Sequence, residues 1–267
     1  MYAGAIVGIL LAEVLYLRAV HVLAGRGYEV PFWQQVSWHG GVALTAIGLL
    51  SPIDSLAEDL LSAHMAQHLL IADLAAPLLL VGLRSPVYAF LLPRPALVAL
   101  ARRTRLRKVF RKMRRPLVAI PIYVGLLYGW HMAFMFEGAL NNDVVHVLQH
   151  WSFVFGSVLV WWAPIDPKRR RLHGELWKIG HLIGARLAGM FLGMAFVIMR
   201  SPAYNSYVDS AREHGLSPIT DQQIAGGMML GVDFFVMLGA LCLFFWASAR
   251  DHDAAEAEAA SARPVRA

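Results

Sequence analysis

Long apolar stretches, separated by short polar segments, recur along the whole chain. Seven of them have the length that a transmembrane helix needs, about 17–25 residues. They are residues 2–24, 36–52, 60–82, 116–137, 143–164, 175–200 and 222–248. The pattern predicts an all-α fold, a polytopic membrane helical bundle with seven transmembrane helices and no separate soluble domain.

The composition supports a membrane protein. The chain of 267 residues is 58% hydrophobic and only 16% charged, whereas about a quarter of the residues in a soluble domain are charged. The single cysteine, Cys242, excludes a disulfide framework and a cysteine-rich metal site. We predict one integral membrane domain over residues 1–250. The remaining residues, 251–267, are rich in Ala and Glu and are expected to form a disordered cytoplasmic tail.

The distribution of basic residues predicts the orientation. The connections 25–35, 83–115 and 165–174, together with the C-terminal residues from Arg250, carry nineteen Lys and Arg residues. The connections on the opposite side carry only Arg200 and Arg212. Because cytoplasmic loops are enriched in Lys and Arg, we expect the N-terminus outside and the C-terminus in the cytoplasm.

The longest connection, 83–115, contains eleven of these basic residues, most of them within 102–115. Apolar residues recur among them at helical spacing: Leu106, Val109, Phe110, Met113 and Leu117. We therefore expect a basic interfacial helix that binds anionic lipid. Binding to anionic lipid also explains the excess of basic residues behind the net charge of +6, so no nucleic-acid partner is expected.

Five histidines are candidate metal ligands. His64 and His68 open the third stretch, His146 and His150 open the fifth, and His131 lies near the end of the fourth. The H-x-x-x-H spacing puts the two rings of each pair on one face of a helix, about 6 Å of rise apart. In the expected orientation, all five lie in the outer third of the membrane. Imidazole is the commonest metal ligand, and polar rings in a membrane are costly, so we predict a metal or haem site there.

Within this set, His68 and His150 are the best candidates because they lie one turn deeper in their pairs, level with His131. A hydrogen bond between helices is the alternative role for any single histidine. Three further histidines lie toward the cytoplasmic side, where structural roles are expected: His21, His39 and His181.

Methionines near the same depth indicate which metal is bound. Met135 and Met228 are candidate soft ligands. Others lie close by: Met65, Met132, Met194, Met199 and Met229. Thioethers favour Cu(I), and imidazole accepts copper, zinc or iron, although methionine is also an ordinary filler of helical cores. A His/Met set without cysteine on the oxidising side favours copper over structural zinc.

Several charged residues fall inside the predicted spans. Asp73, Arg186 and Asp233 lie near mid-membrane, where ionisable groups normally face the bundle interior and pair with one another. We expect a structural network, with a proton or ion path as the alternative. Asp221, at the start of the seventh stretch, is expected either to cap that helix or to orient a ligating histidine.

Four segments resemble a known family. They are SPIDSLAEDLLSAHMAQHLLIADLAAPLLLVG (51–82), GWHMAF (129–134), NNDVVHVLQHWSFVFGSVLVWWAPIDP (141–167) and DQQIAGGMMLG (221–231). In this order they resemble the CtaG-type cytochrome c oxidase assembly factors, seven-helix membrane proteins associated with the caa3-type oxidase. One departure is Gln149, where relatives are expected often to carry Glu, which would remove a carboxylate partner for the second histidine pair.

The resemblance implies maturation of a haem–copper oxidase, with copper supplied to its metal centre. It further implies an oxidase subunit as partner, a multi-pass location in the bacterial cell (inner) membrane, and no enzymatic activity. No small-molecule substrate is evident. The main alternative is a haem-binding or other metal-dependent membrane redox protein. A transporter is a further alternative, although no internal repeat between the halves of the chain supports it.

Overall fold

A computed structural model describes residues 2–165 and 176–261. The fold is 86% helical, and no strand occurs in these two ranges. The first four helices are α1 Tyr2–Ala24, α2 Phe32–Leu50, α3 Pro52–Asp59 and α4 Leu61–Gly82, followed by α5 Val87–Phe90, α6 Arg94–Arg102 and α7 Thr104–Met113. The remaining helices are α8 Pro116–Trp130, α9 Ala133–Leu140, α10 Asp143–Ile165, α11 Leu176–Ile198, α12 Val208–Glu213 and α13 Pro218–Ser261.

The prediction of an all-α membrane protein is confirmed. Within the described ranges, five helices are long and apolar enough to cross a membrane, namely α1, α4, α10, α11 and α13. Two bent pairs, α2 with α3 and α8 with α9, raise the number to as many as seven if each pair is one span. The predicted stretches 60–82 and 143–164 differ by no more than a residue at either end from α4 and α10.

The fourth predicted stretch is not a continuous helix, and the second ends where the chain bends into α3. The α2–α3 pair bends by 48° because Ser51 is extended and Pro52 starts a new helix, whose Ile53 amide donates to Ser51 Oγ at 3.2 Å. The α8–α9 pair bends by 71° at His131 and Met132. His131 therefore lies at a helix end rather than within a continuous helix.

Helix α4 is the centre of the bundle. It packs against α2, α10 and α13, and 56% of its spanning segment is buried, against 17% for α1. Its residues Leu69–Leu74 form a π-helical turn directly after His68. Such turns interrupt α-helices mostly at functional sites, and this one carries Asp73.

Helices α11 and α13 make the closest pair in the bundle. A Cβ atom added to Gly226 would lie 2.5 Å from the carbonyl oxygen of Gly193. Small residues at this contact let two helix backbones approach closely, as is common within membranes. The contact holds the first half of the membrane-spanning part of α13 against α11.

The basic segment differs from its prediction in one respect. The expected single helix is divided into α6 and α7 because Arg103 leaves the helical conformation, with ψ at 67°. Helix α7 exposes Leu106 and Val109, and the Arg114 guanidinium lies 4.6 Å from the Trp162 ring centre. The amphipathic character is thus present, on two short helices.

The last helix extends to Ser261, beyond the predicted span end at 248 and into the predicted tail. Residues 166–175, which include most of the predicted connection 165–174, lie outside the described residues, as do 262–267. The division into a membrane domain and a disordered tail stays a prediction.

Candidate metal centre

Four of the five candidate histidines form one compact cluster between α4 and α10. The ring centres of His64 and His68 are 4.4 Å apart, as are those of His146 and His150. Across the two helices, His64 faces His146 at 5.2 Å and His68 faces His150 at 5.1 Å. We call these four residues the histidine cluster. The i, i+4 spacing on each helix puts both pairs on facing surfaces.

The donor atoms of the cluster are close enough to share an ion. One ring nitrogen from each of His64, His68 and His146 lies within 4.8 Å of the others. Ligands at about 2.0–2.1 Å from a tetrahedral metal lie about 3.3 Å apart, so small side-chain rotations would close the site. His150 completes the square of rings beside them.

At least one ring nitrogen of each candidate histidine lacks a partner among the described residues. Among the described residues, the buried Nε2 atoms of all five have no hydrogen-bond partner, and neither has Nδ1 of His68. The cluster is largely dry, since His64, His68 and His150 are buried and His146 is half-buried. Buried polar groups are normally hydrogen-bonded, so this concentration of unpaired nitrogens in one place requires an explanation.

Tyr207 fixes the protonation of His64. Its hydroxyl donates to the Ala57 carbonyl at 2.9 Å and lies 3.0 Å from Nδ1 of His64. Burial raises the pKa of Tyr207 well above its ordinary value, so the hydroxyl keeps its proton. Nδ1 of His64 also lies 3.3 Å from the Ala57 carbonyl, which can only accept, so the arrangement favours Nδ1 as the donor and leaves the lone pair of Nε2 for a ligand.

His131 lies apart from the cluster. Its ring centre is 5.8 Å from Phe153, whose other neighbour is His68 at 4.7 Å. Nδ1 of His131 donates to the Leu127 carbonyl at 2.7 Å, so its Nε2 also carries a free lone pair. The Phe153 ring thus lies beside both His131 and His68.

A small cavity of about 30 Å³ joins His131 to the cluster. It lies between α4, α8, α10 and α13. The residues that line it are Met65, His68, Leu69, Ala72, Asp73, Tyr123, Leu127, His131, Phe153 and Met229. A cavity of this size has room for one or two water molecules or an ion.

The methionines at this cavity are Met65 and Met229, both buried. The two methionines predicted as ligands, Met135 and Met228, are partly buried and pack against the apolar core. Their role as ligands stays a prediction. The side chains of Met132 and Met194 are about half exposed.

Asp221 reaches across the bundle and caps α4. Its two carboxylate oxygens accept from the amides of Leu61 at 2.7 Å and Ser62 at 3.1 Å. This differs from both predicted roles, because the helix it caps is not its own and no histidine is its partner in the described contacts. The carboxylate satisfies the first amides of α4 and so fixes the height of His64, one turn further along.

The predicted network of mid-membrane charges is present. Nη1 of Arg186 donates to Oδ1 of Asp73 and, at 2.8 Å, to Oδ1 of Asp233. The guanidinium is buried and lies 5.6 Å from the Trp161 ring centre and 6.0 Å from that of Tyr123. Asp73 also lines the cavity described above, so this charged triad adjoins the histidine cluster.

Two of the three histidines with expected structural roles, His39 and His181, have side-chain contacts, and the third, His21, is exposed. Nδ1 of His39 lies 2.7 Å from Glu13, and Nε2 of His181 donates to the Val160 carbonyl at 2.9 Å. Tyr207 had no sequence signal, and Gln149 was singled out only as a departure from the family. Tyr207 belongs to a connection without periodicity, and Gln149, fully buried beside His150, has an amide without a partner among the described residues.

Comparison with known proteins supports the resemblance found in the sequence. A family model described as cytochrome c oxidase caa3 assembly factor matches residues 14–251. The matched range contains the histidine cluster, His131 and the charged triad. Neither the curated proteins nor the solved structures gave a match.

Proposed function

The chain belongs to the cytochrome c oxidase caa3 assembly factor family, and we propose that it binds copper at the histidine cluster and presents it to an oxidase subunit. Copper is then the cargo of the protein rather than a resident cofactor. In this role the protein is not an enzyme, because binding and ligand exchange suffice for delivery.

The unpaired Nε2 atoms support this proposal most strongly. A buried polar atom without a partner costs about 1–3 kcal/mol, and five such atoms lie at one end of the bundle. A metal ion would satisfy several of them at once. The Nδ1 contacts of His64 and His131 hold these two rings in the tautomer that a metal requires.

The surroundings favour copper among the possible metals. Met65 and Met229 supply thioethers beside His68 and His131, and thioethers select Cu(I). Cys242 lies about 20 Å further along α13 than Met229, at 1.5 Å of rise per residue, so no thiolate competes.

The cluster also suits an ion that must be released. His146, the half-buried member, lies closest to the start of α10, where Asn142 and Asp143 are exposed. An ion could reach His146 first and then the buried rings. A transfer site works best when its coordination is incomplete and its ligands can exchange, as at catalytic metal sites that keep an open position.

We further propose seven spans, with both bent pairs crossing the membrane, the N-terminus outside and the C-terminus in the cytoplasm. The excess of basic residues in alternate connections supports this orientation. It places the histidine cluster at the outer face of a bacterial inner membrane and lets α6 and α7 bind anionic lipid at the inner face. Reporter domains fused to the C-terminus, active only in one compartment, test the orientation directly.

Haem is the main alternative ligand, and the cavity argues against it. Pockets for cofactors of that size occupy about 300–1,000 Å³, whereas the cavity beside His68 and His131 occupies about 30 Å³. The facing rings of the cluster are already in contact. A single ion therefore fits these residues better than a macrocycle does.

Deleting the gene in a host with a haem–copper oxidase tests the function. We expect oxidase activity to fall in the deletion strain and to recover, at least in part, when copper is added to the medium. Normal oxidase activity after deletion would contradict the assembly role.

The same strain tests the site. Wild-type protein supplied in trans should restore oxidase activity, and His68→Ala and His150→Ala should not. The matched control is His181→Ala, which also removes a buried intramembrane histidine but one bonded to the Val160 backbone. Full activity with both cluster variants would contradict the proposed ligands while leaving the assembly role intact.

A further inference from the structure

The charged triad contains one more acidic than basic group. Arg186 is always protonated, and its Nη1 donates to Oδ1 of both Asp73 and Asp233, which favours the ionised form of each carboxyl. Arg186 and Asp233 are almost fully buried, and the side chain of Asp73 is 15% exposed. Two carboxylates and one guanidinium leave an excess of one negative charge in a largely dry part of the bundle.

This charge lies close to the candidate metal centre. Asp73 and His68 line the same cavity of about 30 Å³. They are five residues apart on α4, which corresponds to about 7 Å of rise. Asp54 and Asp221 are further acidic groups near the histidine cluster, but neither lines this cavity: Asp54 accepts from Gln67 at 2.6 Å and Asp221 caps α4.

We propose that the triad of Asp73, Arg186 and Asp233 is the counter-charge of the metal centre. The proposal rests on the proposed copper function and extends it to residues that do not ligate the ion. Neutral imidazoles and thioethers bring no charge to a cation, so an ion bound to them alone would be a net positive charge in a low-dielectric interior. The triad supplies one compensating negative charge from across the cavity.

The distance between the triad and the bound ion sets how much the triad strengthens metal binding. A unit charge about 8 Å away, at an effective dielectric constant near 20, changes the binding constant of a monovalent ion about ten- to thirtyfold. For a divalent ion at the same site the electrostatic energy is twice as large, so the factor is squared. Loss of a ligand or of packing would not produce this relation between the two ions.

Metal titration of the purified full-length protein tests the proposal. Ag(I) and Zn(II) serve as redox-inert monovalent and divalent probes, each titrated in competition with a chelator. The variants Asp73→Asn and Asp233→Asn each remove one negative charge. We expect each to weaken Ag(I) binding about ten- to thirtyfold, somewhat less for Asp233, and to weaken Zn(II) binding by about the square of that factor.

Two further variants control for structural effects. Asp73→Glu keeps the charge on a side chain that faces the cavity, and it should bind both ions within about threefold of wild type. Glu13→Gln removes a carboxylate that pairs with His39 in a separate apolar cluster around α1, and it should leave both affinities unchanged. Thermal unfolding of each variant identifies any that fails to fold.

Three results would contradict the counter-charge role of the triad and leave the proposed copper function standing. The first is unchanged affinity in Asp73→Asn. The second is an equal loss for Ag(I) and Zn(II). The third is a loss in Asp73→Asn with none in Asp233→Asn, which would make Asp73 a ligand. If the wild-type protein bound neither ion, the proposed function itself would fall, and this inference with it.

Discussion

Tyr207 offers a sharp test because a single hydroxyl connects it to the candidate metal centre. In Tyr207→Phe, Nδ1 of His64 loses its neighbour at 3.0 Å and keeps only the Ala57 carbonyl, at the longer distance of 3.3 Å. Groups that orient a ligating histidine are typically worth 10–100-fold in metal affinity. We therefore expect Tyr207→Phe to bind Ag(I) at least tenfold more weakly, while the lost hydrogen bond lowers the free energy of unfolding by only about 1 kcal/mol.

Tyr204 provides a matched control. It is buried to the same degree as Tyr207, and its hydroxyl donates to the backbone carbonyl of His131 at 2.9 Å, with no histidine ring nitrogen as partner. Tyr204→Phe should cost similar stability and leave the affinity near wild type. Burial raises the pKa of both tyrosines, so both hydroxyls stay protonated. The difference in Ag(I) affinity between the two variants should therefore persist from about pH 7 to 9. Equal affinities of the two variants in the chelator competition would refute the role assigned to Tyr207.

Further substitutions test the packing that positions the cluster. Asp221→Asn leaves one of the two capped amides of α4 without an acceptor, so we expect the free energy of unfolding to fall by about 1–3 kcal/mol. The midpoint of thermal unfolding in detergent should be lower than that of wild type. An unchanged midpoint would contradict the cap. Gly226→Ala places a Cβ atom 2.5 Å from the Gly193 carbonyl oxygen and should cost about 1–3 kcal/mol through overpacking. Gly227→Ala meets no atom within 4 Å and should be nearly neutral, so equal midpoints of the two alanine variants would count against the close α11–α13 contact.

The sequence predicts the spans well wherever hydropathy alone decides. The stretches 60–82 and 143–164 coincide with α4 and α10 because an apolar helix of this length has few alternatives in a membrane. The two bends escape prediction because each depends on one or two residues. Extended backbone at Ser51 and Met132 leaves the hydropathy of the surrounding stretch unchanged.

The spacing of the histidines along the sequence predicts only part of the candidate site. The H-x-x-x-H pairs correctly predict two rings on one face of each helix, but their partners across the interface depend on how α4 and α10 are rotated and aligned. That alignment pairs His64 with His146 and sets His131 behind Phe153. It also depends on a contact distant in sequence, the cap that Asp221 provides to α4, which no local pattern reveals.

The central claim is that the histidine cluster binds copper, and metal analysis tests it most directly. Purified full-length protein is loaded with Cu(I), passed through a desalting column and analysed for copper, with His68→Ala, His150→Ala and the control His181→Ala treated in parallel. We predict that wild type and His181→Ala retain copper and that both cluster variants lose most of it. Unchanged copper content in His68→Ala and His150→Ala would contradict the claim.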